Sequence, residues 1–212
     1  MKTFDLFPSL VYGICYPKHE DLKKIIMPLL EDASFETNKI SENLFHYKNS
    51  KNHSILYEED FKEFKDWLED TCYHYVSNVL GYQLDDKIIV TDSWLNKCDK
   101  GGYQYPHYHT NSYISGTYYV NFRDGHAPII FIKDDTSSHS SRQSLALEKS
   151  KSPTKYNSDC IILPEESELY LWQSHMTHGV SDNQLDGRIS LSMNFMPTSM
   201  TNQRYGYKVY YT

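Results

Sequence analysis

From residue 86 to about residue 196 the hydrophobic pattern alternates with a period of two, in runs too short for helices. The runs are 87–97, 103–109, 112–122, 128–132, 159–164, 168–172, 177–181 and 188–196. Short strands at this spacing predict a β-sandwich, a jelly roll or a barrel. The 19 tyrosines fit the same picture, because Tyr suits sheet faces and half-polar pockets.

The N-terminal part has a different period. Residues 3–16 predict a strand, with Pro8 favouring an edge position. A helix opened by Pro17 and an acidic first turn comes next, and Pro28 is expected to kink or end it. In "EEDFKEFKDWLEDTCYHYVSNVLGY", Phe61, Phe64, Leu68, Cys72, Tyr75, Val76 and Val79 recur at three- and four-residue steps, and Gly81 closes the run. This predicts a second helix packed on the outside of a sheet. Residues 34–55 are polar and irregular and receive no assignment. No internal boundary is visible, so residues 1–212 are expected to form one domain, with helical support over about 17–82 and a β core over about 86–196. The Ser-rich, charged segment 133–158 interrupts the strands. Connections longer than ~12–15 residues are either disordered or functional lids, and both readings stand for it.

Charge and cysteine usage exclude several function classes. A net charge of −7 opposes nucleic-acid binding driven by counterion release. Cys15, Cys72, Cys98 and Cys160 are scattered without a Cys-x-x-Cys pair, which reads as reduced thiols. Asp5 and Pro8 interrupt any signal-like apolar run, and no stretch reaches the ~18–20 apolar residues of a membrane span. The expectation is a soluble cytoplasmic protein with no membrane or nucleic-acid partner and an open oligomeric state.

Two stretches carry chemistry. In "HYHTNSYISGTYYVNF", His107 and His109 are two residues apart, which places both imidazoles on one strand face at a separation suited to one metal ion. A pair of ordinary surface histidines would give the same dipeptide. In "RISLSMNF", Ile189, Leu191, Met193 and Phe195 alternate with Arg188, Ser190, Ser192 and Asn194. The polar face holds one Arg and three small neutral residues, without the Lys and Glu of a solvent face. Such a face suits a pocket that grips a carboxylate or phosphate.

His178, with Arg188 ten residues on and Ser190 two further, resembles the closing motif of the Fe(II)/2-oxoglutarate-dependent oxygenases. "YPHYH" stands where prolyl hydroxylases of that superfamily carry a strand ending in His-x-Asp, and "YYVN" resembles their "YYLN" strand. The chain is most similar to a small 2OG-Fe(II) oxygenase family of bacteria and marine phages, through His107–His109, "SGTYYV", "WQSHMTHGV" and "RISLSMNF". The resemblance covers roughly residues 88–196. It implies a double-stranded β-helix (jelly roll), mainly β, flanked by N-terminal helices. It also implies Fe(II), 2-oxoglutarate as cosubstrate, O₂, and hydroxylation of an unidentified peptide, protein or small molecule. His107 and His178 become metal ligands and catalytic residues. Arg188, Ser190 and Tyr118 become the grip on the distal carboxylate of 2-oxoglutarate, and Asn96 a contact at its proximal end. Tyr118 is equally readable as a cross-strand packing residue.

His109 departs from the superfamily, where Asp or Glu is the rule. The closer family shares the His-x-His pair, so the resemblance makes His109 the third metal ligand and a catalytic residue. The alternative is a residue behind the ligands, with the third ligand supplied elsewhere. Two other readings compete. Three histidines also suit a zinc hydrolase or hydratase, though that leaves Arg188 and Ser190 without a role. A non-catalytic jelly-roll binding module would make the histidines incidental.

Overall fold

The computed structural model describes residues 2, 9–31, 35–37, 41–47, 54–132, 151, 152, 154, 159–202 and 204–210. The segment 133–158, for which disorder and a lid are both open readings, lies almost wholly outside the described residues. In chain order the elements are β1 (Tyr12–Cys15), α1 (His19–Glu31), β2 (Phe35–Thr37), β3 (Leu44–Tyr47), α2 (Lys62–His74), β4 (Ile88–Cys98), β5 (Gln104–His107), β6 (Ile114–Asn121), β7 (Ile129–Phe131), β8 (Cys160–Ile162), β9 (Glu168–Gln173), β10 (His178–Val180), β11 (Arg188–Pro197), β12 (Ser199–Asn202) and β13 (Tyr205–Lys208). Short 3₁₀ turns at Ile55–Tyr57 and Glu59–Phe61 lead into α2.

Each of the alternating runs contains a strand. They assemble into a seven-stranded sheet of order β1-β9-β6-β11-β4-β3-β2 and a four-stranded sheet of order β5-β10-β7-β8. Every ladder in both is antiparallel. The eight alternating runs supply strands to both sheets, and this is the jelly roll. β12 and β13 form a separate C-terminal hairpin.

The central strands of the large sheet separate two chemistries. One face presents Leu95, Leu191, Met193, Phe195, Tyr118, Val120, Leu169 and Leu171, all buried in the main hydrophobic core. Against it lie Leu22 and Ile26 of α1 and Phe64, Leu68 and Cys72 of α2. A fully buried side chain of this kind contributes about 1.5–3 kcal/mol, so this face carries much of the stability. The opposite face looks onto the small sheet across a cavity.

The N-terminal region differs in detail from expectation. Pro28 lies inside α1 and does not end it, because positions 24 and 28 both face solvent and the carbonyl that Pro28 leaves unbonded can be hydrated. The second helix passes into a π-turn at Tyr75–Val79, where Leu80 N–H donates to Tyr75 O at 2.9 Å. The wider turn rotates Val79 off the buried stripe to 39% exposure, and Gly81 comes after it with φ +75°. Residues 35–37 and 44–47 are strands that extend the large sheet beside β4. All four cysteines are free. Among the described residues no helix is long and apolar enough to cross a membrane.

Candidate functional site

The cavity between the sheets has a volume of about 430 Å³. Its mouth holds three histidines. His107 ends β5 and pairs in register with His178 on β10, which sets their rings 4.5 Å apart. His109 lies just past the end of β5, off the ladder, with its backbone N–H on Ser174 O at 3.0 Å. Asn111 then turns the chain back with φ +57°, a left-handed conformation that Asn tolerates. His109 still stacks 5.2 Å from both His107 and His178, at 29° to each. The shared face expected of a strand is therefore reached by a strand end plus a loop.

The hydrogen bonds aim the rings. Nδ1–H of His107 donates to Tyr105 O at 2.8 Å, that of His178 to Met176 O at 2.9 Å, and that of His109 to Asn194 Oδ1 at 2.7 Å. Each acceptor is an oxygen, so each ring is an Nδ1–H tautomer with the Nε2 lone pair left over. One nitrogen from each ring lies within 4.8 Å of the others. Nε2 of His109 is buried with no partner. Burial holds the His178 pKa down to about 3, reinforced by His107 and His109 and opposed by the bond to Met176 O. Burial also lowers that of His109. Burial thus favours the neutral form of His178 and His109, the form a metal ligand must take. Three ring nitrogens this close together, with Nδ1 of each ring committed to an oxygen, fit a divalent metal ion.

Deeper in, the polar face of the large sheet lines the cavity. Arg188 is buried at 3% exposure, and its Nε–H donates to Ala127 O at 3.0 Å. Its guanidinium lies over the Tyr119 ring at 5.2 Å and near the Phe122 ring at 5.9 Å. Among the described residues no carboxylate forms an ion pair with it, and none lines the cavity. A buried cation without a counter-charge is costly unless an anion joins it. Ser190 and Asn96, paired across β11 and β4, also line the cavity. Asn96 Oδ1 accepts from His46 Nδ1–H at 2.7 Å, and Asn96 Nδ2–H donates to Ser192 Oγ at 3.0 Å.

The structure moves one expected residue. Tyr118 does not line the cavity. It lies in the helix-side core, with its hydroxyl 2.6 Å from Nδ1 of His19. Tyr119, paired with Ser190, takes the cavity side, and its buried hydroxyl has no partner. The signal was present: Ser115 and Thr117 mark the polar parity of β6, and Tyr119 continues it while Tyr118 does not. Asn194 lines the cavity with its polar-face neighbours; His46 and Trp172 do so too, with no sequence signal to single them out. Trp172 meets the His178 ring edge-on at 4.7 Å, and its indole nitrogen is also without a partner.

Residues 92–194, just under half of the chain, match the sequence model of a family described as "Putative 2OG-Fe(II) oxygenase". Over that stretch the chain is similar to the 2OG-Fe(II) oxygenases. The matched stretch holds all three histidines and Arg188. Solved structures share the chain's fold at low identity. HygX from Streptomyces hygroscopicus, with nickel, 2-oxoglutarate and hygromycin B bound, has a TM-score of 0.60 and 10% identity over 90% of this chain and 84% of its own. A Pseudomonas putida prolyl-4-hydroxylase has a TM-score of 0.59 and 11% identity over 88% of this chain and 92% of its own. The viral collagen prolyl hydroxylase of Paramecium Bursaria Chlorella virus-1, in its 2-oxoglutarate complex, has a TM-score of 0.52 and 10% identity over 87% and 94%. No curated protein matches the chain by sequence.

Proposed function

We propose that the chain is a 2-oxoglutarate-dependent oxygenase that binds Fe(II) between the Nε2 atoms of His107, His109 and His178 and holds 2-oxoglutarate against Arg188. The observation that carries the reading is one cavity containing three hydrogen-bonded imidazoles, with their free nitrogens converging, and a buried guanidinium without a carboxylate partner. An iron ion held there would supply the coupling of 2-oxoglutarate decarboxylation by O₂, to succinate and CO₂, with transfer of one oxygen atom into a C–H bond of a second substrate.

The chain's own groups bind and orient. Nε–H of Arg188 is committed to Ala127 O, which leaves the terminal nitrogens for the distal carboxylate of the cosubstrate. The Tyr119 hydroxyl donates to the same carboxylate and gains the partner it lacks. Ser190 lies beside them. Asn96, held by His46 and Ser192, forms part of the cavity wall. The backbone carbonyls of Tyr105 and Met176 and the amide of Asn194 hold the imidazole tautomers. The second substrate enters past Tyr108, which lines the mouth and is 61% exposed. The solved relatives support either a small molecule, as in the hygromycin B complex, or a peptide side chain, as in the prolyl hydroxylases. The four free cysteines fit a reducing compartment such as the cytoplasm.

A zinc hydrolase would use the histidines equally well but would leave Arg188 buried without a counter-charge. Anaerobic calorimetry with Mn(II) and then 2-oxoglutarate tests the assignment, together with succinate release when Fe(II) and air are supplied. Metal-dependent 2-oxoglutarate binding and slow succinate formation are expected. Metal binding with no affinity for 2-oxoglutarate would sink the oxygenase assignment.

A further inference from the structure

The third imidazole stands where related enzymes place a carboxylate, and it stands on a loop. His107 and His178 are opposed on neighbouring strands, and each rests on a backbone carbonyl two residues earlier in its own chain. His109 has neither support. Its Nδ1–H donates to a side chain 85 residues away, Asn194 Oδ1, at 2.7 Å.

We infer that Asn194 is the positioning residue of the metal centre, setting the tautomer and the aim of His109 and so allowing an imidazole to serve in a carboxylate's place. The inference rests on the proposed metal site. Asn194 is itself held from several sides. It pairs in register with Ser115 on β6, whose Oγ–H donates to the same Oδ1 at 2.9 Å. Ser174 Oγ lies 2.8 Å from Ser115 Oγ and 2.8 Å from Ser112 Oγ, so a chain of hydroxyls ties the amide to the loop that carries His109. Ser174 O also takes the His109 backbone N–H, closing a ring of bonds around the loop. On β4 the ladder with β11 slips by one residue between Asn194 and Phe195, a bulge of the kind that re-aims side chains beside active sites. Trp94 stacks on the other side of His109, with ring centres 5.8 Å apart at 23°.

The chemistry comes from the acceptor. With both Oδ1 contacts supplied by donors, the amide oxygen can only accept from His109, so Nδ1 keeps its hydrogen and Nε2 keeps its lone pair. A neutral acceptor leaves the ring a neutral donor. A carboxylate at position 194 would draw the Nδ1 hydrogen harder and make Nε2 a stronger, partly anionic ligand. An apolar side chain there would release the ring to rotate.

Anaerobic Co(II) titrations of full-length protein, monitored by affinity and by the visible ligand-field spectrum, test this. Asn194→Leu is expected to weaken Co(II) about 10–100-fold, the usual cost of losing such a partner. Asn194→Asp should restore or exceed wild-type affinity and shift the spectrum. In a His109→Ala background, Asn194→Leu should cost nothing more. An equal loss with and without His109 would make Asn194 merely structural and overturn the inference, as would an unchanged affinity in Asn194→Leu. Should Asn194→Leu fail to fold, the Asn194→Asp spectrum decides alone, and a spectrum identical to wild type overturns it. A wild-type protein that binds no Co(II) would instead refute the metal site itself.

Discussion

Among the described residues, two clusters of potential metal-ligating side chains lie on opposite sides of the large sheet, and they differ in which polar atoms are left over. On the cavity face, His107, His109 and His178 spend Nδ1 on oxygen acceptors and leave Nε2 unused. On the helix face, His19, Glu20 and Glu166 come equally close together. There Nε2–H of His19 donates to Glu166 at 3.0 Å, the Tyr118 hydroxyl donates to Nδ1 at 2.6 Å, and Lys23 Nζ reaches the same carboxylate at 2.6 Å. Both ring nitrogens are used and the carboxylate already has its cation. That cluster pins α1 to β6 and to the turn before β9. Proximity of ligand types is thus a poor guide. What marks a site is the set of polar atoms left unsatisfied, and the adjacent tyrosines repeat the lesson: Tyr118 is paired and Tyr119 is not.

The contrast can be broken most severely at the histidines. His178→Ala should abolish measurable Fe(II) or Mn(II) binding, a loss beyond the roughly 100-fold cost of removing a partner behind a ligand. His19→Ala should leave metal affinity unchanged. Metal titration of both variants is the check, and metal loss in the His19 variant would mean the two clusters are not separate.

Next in size, Arg188→Met should cost about 2–5 kcal/mol of 2-oxoglutarate binding while metal affinity stays near wild type. Calorimetry with the metal-loaded protein measures both. Parallel loss of metal and cosubstrate would show that Arg188 serves packing against Tyr119 and Phe122 instead.

The two tyrosines give a smaller, opposed pair of effects. Tyr119→Phe should weaken 2-oxoglutarate by about 1.5–3 kcal/mol, the range for a hydrogen bond to a charged group, with thermal stability unchanged. Tyr118→Phe should leave cosubstrate affinity alone and lower stability by about 1–3 kcal/mol, because Nδ1 of buried His19 loses its donor. Thermal melts read against 2-oxoglutarate titrations separate the two, and a reversed pattern would restore Tyr118 to the cosubstrate.

The smallest effect concerns Glu166. Burial alone would raise its pKa, but the hydrogen bonds from Lys23 and His19 more than reverse this and hold it below the ordinary carboxyl value. Its contribution to stability is therefore full above the ordinary carboxyl pKa and disappears as pH falls through the lowered one. Glu166→Gln should melt slightly earlier than wild type at pH 7, by at most about 1 kcal/mol, and the gap should close in acid. A gap that persists at low pH would mean the loss is one of shape and not of charge.

The alternating runs determined the β architecture locally. A side chain's face in a strand depends only on its parity, so Leu95, Leu191, Met193 and Phe195 could be assigned to a core and Arg188, Ser190 and Asn194 to a pocket from order alone. The same parity would have chosen Tyr119, had Ser115 and Thr117 been weighed above the likeness of "YYVN" to a known strand. Other features have no local signature. A π-turn that displaces Val79, strands at 35–37 and 44–47, and a histidine carried on a loop all depend on what the neighbouring element offers. The meeting of His107 with His178 depends on the register of β5 with β10, across 71 residues, and the aim of His109 on an amide 85 residues away. Periodicity is a property of consecutive residues and is present in the chain before it folds. Which nitrogen is left without a partner is a property of the packed whole, because only packing decides which polar atoms find one another and which are left for a ligand.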